Sequence, residues 1–301
     1  MQGAKRQAQN AGRGLQPRPK RLKTSIIHCF FQIYIKTKTM TMLTVVILTK
    51  NEQANLPDCL AAIPECYPVV IVDSGSTDAT IAIANSRYCR IYKNPWPGFA
   101  EQRNFAINHC AINTPWILFV DADEIYPQIF YDWFEAERTE SDSVDVVMVP
   151  SILYLRGKRL NHAPGYPIYH PRLVRRDATR FVRNHTGHGE AVINTCRIGY
   201  CAIPYQHYFY HGEIIEWMHK HVDKAAQEVQ LKPPTEAIMT HRGRLSVLLG
   251  RSWLRIFARF LYHFVFRGGF LDGFAGLEFA LMFTWYEATI YMQAKAGTQT
   301  S

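Results

Sequence analysis

The chain has 301 residues, a formal net charge of +9 and 48% hydrophobic residues. That length can bury a full core and fits one large domain with appendages or two small ones. The charge excess lies entirely in residues 1–40, which hold nine Lys and Arg and no Asp or Glu, so the remainder is neutral and a nucleic-acid-coating surface is excluded.

The basic head is rich in Gln, Gly and Pro before Ser25 and reads as disordered, an upstream extension with Met40 or Met42 as the effective start. Ile26 to Ile35 is apolar but interrupted by His28 and Gln32, and spans only about half of the ~20 residues a membrane crossing needs. No small-residue cleavage site follows, which argues against a signal peptide. A membrane-surface tail is the second reading of this head. The seven cysteines are scattered, odd in number and without a Cys-x-x-Cys pair. Neither a disulfide framework nor a zinc ribbon is indicated, and a reducing cytoplasmic setting follows.

From Leu43 the pattern alternates short apolar runs with helical stretches. Leu43–Thr49 and Val69–Asp73 read as buried strands around a helix from Gln53 to Ile63. A helix from Thr77 to Ser86, a strand at Cys89 to Tyr92, a helix near Phe99 to Ile112 and a strand from Trp116 to Asp121 continue the alternation. The expected fold class is α/β, a Rossmann-like nucleotide-binding sheet flanked by helices. Val144 to Val149 is a further strand, and Ser151 to Tyr210 reads as irregular, aromatic and His-rich.

Near the C-terminus Arg251, Arg255, Arg259, His263 and Arg267 recur every four residues, forming one helical stripe opposite an aromatic and aliphatic face. Such a helix suits either the interface of an anionic membrane, through 245–267, or docking on the catalytic domain. Gly268-Gly269 breaks it before a second apolar stretch, Leu277 to Tyr291, which Glu278 and Glu287 make a poor membrane span. The expected organisation is an extension at 1–40, a catalytic domain at 41–240 and C-terminal amphipathic helices at 241–301.

Open α/β sheets bind ligands beyond the carboxyl ends of their strands. Thr49-Lys50-Asn51-Glu52, Asp73-Ser74-Gly75-Ser76-Thr77-Asp78 and Asp121-Ala122-Asp123-Glu124 all fall there. Ser76 to Asp78 reads as a helix cap, whereas Asp73, ending a buried strand, reads as a ligand contact. Asp121 and Asp123 put two carboxylates side by side at the sheet edge, which calls for a counter-cation, Mg²⁺ or Mn²⁺ bridging to a diphosphate. Arg103, near a helix start in the loop that begins at Gly98, can meet a phosphate.

Segments 45–52, 69–78 and 119–124 resemble the three signature blocks of family 2 glycosyltransferases with the GT-A fold. Trp96 to Ala106 and Gly269 to Gly273 are most similar to the bacterial lipopolysaccharide-core β-glucosyltransferase group. The resemblance implies a metal-dependent inverting transferase, peripheral on the inner face of the plasma membrane, taking a nucleotide-diphosphate sugar (a UDP-sugar) and a glycan or lipid-linked acceptor. It implies that Thr49, Asn51, Glu52, Ser74 and Gly75 line the nucleotide pocket, that Asp73 bonds the base, and that Asp121 meets the ribose side. Asp123 would ligate the metal, and Arg103 and Asn104 would face the donor's phosphate or ribose.

Inverting transfer also needs a carboxylate to take the acceptor's proton. Glu190, in the His-rich stretch Arg183 to Glu190, is the candidate, with Asp177 and Glu213 as competitors. His207 is a further candidate for a metal or phosphate contact, against simple aromatic packing. A polyprenyl-phosphate acceptor is the alternative within the transferases. A dehydrogenase is opposed by the missing Gly-x-Gly-x-x-Gly after the first strand, and a nucleotidyltransferase by the missing Gly-rich basic loop. A non-catalytic nucleotide-sugar-binding protein is opposed by the retention of both acidic ligands.

Overall fold

The structure, a computed structural model, describes residues 41–137, 143–183, 190–210, 214–230 and 252–298. The basic head and its expected disorder lie outside them. The first half runs β1 (Leu43–Thr49), α1 (Leu56–Ala61), β2 (Val69–Asp73), α2 (Thr80–Ser86), β3 (Arg90–Lys93), α3 (Phe99–His109) and β4 (Trp116–Asp121). All four strands are parallel, in the order β3-β2-β1-β4. Every residue of β1 is buried because helices cover both faces of the sheet, which explains an unbroken apolar run where a half-exposed strand would alternate.

Alternation sorts the strand residues between two cores. Val45, Ile47, Leu118 and Val120 pack with Leu56, Leu60, Phe130 and Phe134 on one side. Val46, Leu48, Ile117 and Phe119 pack with Ala100 and Ala106 on the other.

The expected irregular region from Ser151 to Tyr210 is instead largely β structure. After β5 (Glu124–Ile125) and α4 (Gln128–Glu137) come β6 (Val146–Leu155), β7 (Lys158–Arg159) and β8 (Ile168–Arg175). They are followed by β9 (Phe181–Arg183), β10 (Glu190–Val192), β11 (Ile198–Tyr200) and β12 (Tyr205–Tyr210). β8 runs antiparallel to β4 and β6, and β12 joins parallel to β6 and antiparallel to β5, closing a mixed sheet in the order β3-β2-β1-β4-β8-β6-β12-β5. These strands escape the sequence pattern because they mix aromatic, histidine and charged residues, and several have only two or three residues.

The last segments are α5 (Ile214–Gln230), α6 (Leu254–Leu261) and α7 (Phe274–Thr298). α5 packs on α7 through Trp217, Ala225, Phe279, Met282 and Tyr286. No residue of α6 is fully buried, so its attachment rests on polar contacts. Arg255 Nη2 lies 2.9 Å from Glu287 Oε2 on α7, and Arg259 binds the same carboxylate, which is 3% exposed. One π-turn, Tyr262–Phe266, then points His263 inward, where Nδ1 is 2.8 Å from the Ala163 carbonyl. Arg267 lies over Gly165, where a Cβ would stand 2.7 Å from its Nε. Of the two readings of the arginine stripe, docking is the one its side chains follow: Arg255 and Arg259 turn toward Glu287, His263 toward Ala163 and Arg267 toward Gly165. Arg251 lies outside the described residues.

A second clamp ties this segment to the sheet. The Asp272 carboxylate, nearly buried, accepts the backbone N–H groups of Asn161, His162 and Ala163 at 3.0, 2.9 and 2.8 Å. Gly276 allows the close approach, since a Cβ there would overlap the Gly269 carbonyl oxygen at 1.9 Å. Thr41–Ser301 forms one compact unit.

Candidate active site at the carboxyl edge of the sheet

The loop after β1 and the turn after β2 are bonded into one platform. Asn51 adopts a left-handed conformation (φ 57°), donates its N–H to Ser76 Oγ at 2.9 Å, and accepts the Thr77 N–H at 2.8 Å. Glu52 N–H donates to Thr80 Oγ1 at 2.8 Å and Gln53 N–H to Asp78 Oδ2 at 3.1 Å. Asp78 also accepts the Thr80 N–H at 3.0 Å, which starts α2 three residues later than the spacing predicts.

Asp73 shapes the turn itself. Its carboxylate accepts Thr49 Oγ1 at 3.0 Å, the N–H groups of Gly75 and Ser76 at 2.9 Å each, and Ser76 Oγ at 2.5 Å. Burial opposes its charge, but the bonds from Ser76, Gly75 and Thr49 hold its pKa below the usual carboxylate range. The carboxylate expected to contact the ligand thus also shapes the turn that carries Gly75 and Ser76. Ser74 Oγ in turn accepts Gln102 Nε2 at 3.0 Å from the buried side of α3.

The two aspartates of the acidic block fare differently. Asp121 meets Arg103 Nη2 at 3.2 Å through Oδ1 and Arg172 Nη2 at 2.8 Å through Oδ2. Arg172 also reaches Glu124 Oε1 at 2.5 Å, and Glu124 accepts the Asp121 N–H at 3.1 Å. Burial works against the Asp121 charge, yet Arg172 and Arg103 hold its pKa far below normal, while burial pushes Glu124 up against the pull of Arg172. The counter-charge assigned from sequence to a metal is thus supplied, for Asp121, by two guanidiniums.

Asp123 is about as exposed as Asp121, 26% against 22%, and has His207 Nε2 at 3.3 Å from its Oδ2. The pairing of β12 with β5 makes this contact: His207 stands opposite Glu124, and Tyr208 N–H donates to the Asp123 carbonyl at 2.9 Å. Burial would lower the His207 pKa, but the carboxylates of Asp123, Glu124 and Asp121 raise it from 6.5 to about 9. Glu52 borders the same centre; burial raises its pKa to about 7, Asn55 opposing by a hydrogen bond. Burial lowers the Lys224 pKa while Asp123 and Asp121 oppose it, so α5 brings a cation within electrostatic reach of the carboxylates.

Two expected phosphate contacts serve other purposes. Arg103 is fully buried between Phe99, Phe119 and Phe181, its guanidinium carbon 5.6–5.8 Å from each ring centroid, and it serves Asp121. Asn104 donates Nδ2–H to the Phe181 carbonyl and accepts the Phe181 N–H, both at 2.9 Å, so its amide pins β9 to α3. Glu190 opens β10 opposite Arg183, and its side chain, like Glu213, lies outside the described residues. Asp177 is paired with Arg176 beside the Trp116 end of β4, where Arg176 N–H meets the Pro115 carbonyl, so it sits at the wrong edge of the sheet for a base.

From sequence, Arg172 and Lys224 receive no role, and Glu124, named within the acidic block, receives none of its own there. The available signal for Arg172 was a guanidinium inside the buried run Pro171-Arg172-Leu173-Val174, which requires a carboxylate partner.

A parallel β3-β2-β1-β4 half-sheet with polar loops at its carboxyl edge, closed by antiparallel strands that return a histidine to an Asp-x-Asp block, defines a GT-A nucleotide-binding transferase fold. Residues 44–192 match the model for Glycosyl transferase family 2. LpsC of Rhizobium meliloti (strain 1021), named a lipopolysaccharide core biosynthesis glycosyltransferase, is 30% identical over 52% of this chain and 59% of its own length. The chain thus spans less than two thirds of that relative. Among solved structures, the mannosyltransferase PcManGT of Pyrobaculum calidifontis, in complex with GDP-Man and Mn²⁺, is 14% identical over 91% of this chain and 94% of its own, with a TM-score of 0.47. Glucosyl-3-phosphoglycerate synthase of Mycobacterium tuberculosis, in complex with Mn²⁺, UDP and its product, is 16% identical over 66% and 84%, with a TM-score of 0.44.

Proposed function

We propose that the chain transfers a sugar, with inversion, from a UDP-sugar to a lipopolysaccharide-core or related envelope glycan, at the inner face of the plasma membrane. The observation that carries this reading is the Asp123–His207 pair, one carboxylate and one imidazole beside Asp121, whose charge Arg103 and Arg172 already meet. The relative named for lipopolysaccharide core biosynthesis supports the acceptor class.

The donor set suits Mg²⁺ or Mn²⁺. Among the described residues no group of three or more His, Cys, Asp and Glu could hold an ion alone, so Asp123 and His207 would share it with diphosphate oxygens. Such an ion would stabilise charge on the leaving diphosphate. The protein's own part is positional. The platform of Asn51, Ser74 and Gly75 holds the nucleotide, Lys224 offers a cation to the diphosphate, and Glu190 takes the proton from the acceptor hydroxyl as it attacks the anomeric carbon.

The test is turnover of the Glu190→Gln variant against its UDP affinity. The reading expects turnover to fall by about 10²–10⁴ with affinity preserved. Turnover near wild type would reassign the base.

A further inference from the structure

The C-terminal segment presents an amphipathic helix in an unusual orientation. Its basic stripe is spent on Glu287, Ala163 and Gly165, and its apolar side faces out. Trp253, Phe257, Phe266, Phe270, Leu271 and Phe274 are each more than half exposed and follow one another from α6 through the turns into α7. Single exposed apolar residues are ordinary, but a contiguous aromatic face of this kind marks a contact surface.

We infer that this outward face docks on the interface of a lipid bilayer, with Lys158 and Arg159 at the headgroup level. Charge distribution selects this occupant. The three carboxylates of residues 252–298 all turn inward: Asp272 onto the backbone of Asn161–Ala163, Glu287 onto Arg255 and Arg259, and Glu278 onto Arg156 at 2.9 Å. The rim instead carries exposed cations on β7, and Lys158 Nζ lies 3.7 Å from where a Gly273 Cβ would stand, between Leu271 and Phe274. Aromatic side chains bordered by Lys158, with the carboxylates of 252–298 engaged by backbone N–H groups or arginines, match an anionic membrane interface. A second copy packed about a two-fold axis would bring the same apolar and cationic patch against itself. No helix among the described residues is long and apolar enough to cross a membrane, so the contact is one of lying on the surface.

This deepens the envelope-glycan reading and rests on it for its biological purpose, although the geometry is independent of the chemistry. Because Arg255, Arg259 and Arg267 are turned onto Glu287 and Gly165, attachment depends mainly on aromatic insertion, with a smaller electrostatic part from Lys158 and Arg159.

The experiment is flotation of the full chain with vesicles of phosphatidylcholine alone and of phosphatidylcholine with phosphatidylglycerol, at low and high salt, with UDP binding and the melting curve measured on the same samples. Wild type floats with both vesicle types, more with the anionic one, and retains binding in high salt. Phe266→Ser with Phe274→Ser lowers partitioning by about tenfold or more at an unchanged melting temperature. Lys158→Glu with Arg159→Glu removes only the anionic increment. Wild type failing to float with either vesicle, or the double Ser variant floating as wild type does, overturns the inference. So does a dimer in sedimentation that the Ser substitutions dissociate. UDP binding without flotation would overturn this inference and leave the proposed activity standing; flotation without UDP binding would do the reverse.

Discussion

Arg172 Nη2 lies 2.8 Å from Asp121 Oδ2, and the same nitrogen reaches Glu124, so one guanidinium on β8 bridges the carboxylates of Asp121, at the end of β4, and Glu124, on β5. All three side chains are largely withdrawn from water. Removing one partner of such a cluster strands the others, which costs more than the pair contributes when intact. Arg172→Ala should therefore lower unfolding free energy by about 3–5 kcal/mol in urea titrations. A loss below about 1 kcal/mol, the range of a surface pair, would show that the cluster is effectively solvated.

A parallel argument applies to Glu287. Its carboxylate receives Arg255 and Arg259 and gives α6, which buries no residue fully, its main anchor. Glu287→Ala should destabilise the protein by about 3 kcal/mol and raise amide exchange over 254–261 well before α7 exchanges. Unchanged protection of α6 would show that its aromatic contacts suffice.

Glu52 supplies a prediction with a definite sign. Burial raises its pKa from 4.5 to about 7, so the folded state prefers the neutral carboxyl. Its contribution to stability is full below the unfolded value near 4.5 and is lost as pH rises through about 7. Glu52→Gln keeps an oxygen for Asn55 and removes the charge. In the ligand-free protein it should stabilise by about 2 kcal/mol near pH 8, after discounting for solvent screening, and by nothing near pH 4. Equal melting temperatures of variant and wild type at both pH values would contradict the buried-charge account.

The parallel half of the fold was legible because β1, β2 and β4 are buried on both faces and leave unbroken apolar runs. The antiparallel half was not, since β8 and β12 carry Arg172 and His207 into the site and so lose the apolar signature of a strand. The acidic block was readable at Asp121 and Asp123, but their different fates were not. Arg172 comes from 51 residues further along the chain, and only the fold brings it to Asp121. The stripe at Arg255, Arg259, His263 and Arg267 was equally visible, but the sequence leaves open whether it faces membrane or protein. Periodicity identifies two faces of a helix, and which of them is buried depends on whether a partner such as Glu287 awaits the polar one. The pairing of Asn104 with the Phe181 backbone was not legible either, since it joins residues 77 positions apart.

The central claim is that Asp123, with His207, presents a divalent cation to a nucleotide diphosphate. Calorimetric titration of UDP into wild type and Asp123→Asn, with and without Mn²⁺, tests it most directly. The account predicts that Mn²⁺ tightens UDP binding to wild type by about tenfold or more and leaves the variant unchanged, with both proteins equally folded. Equal enhancement by Mn²⁺ in the variant, or UDP binding to wild type that ignores Mn²⁺, would contradict it.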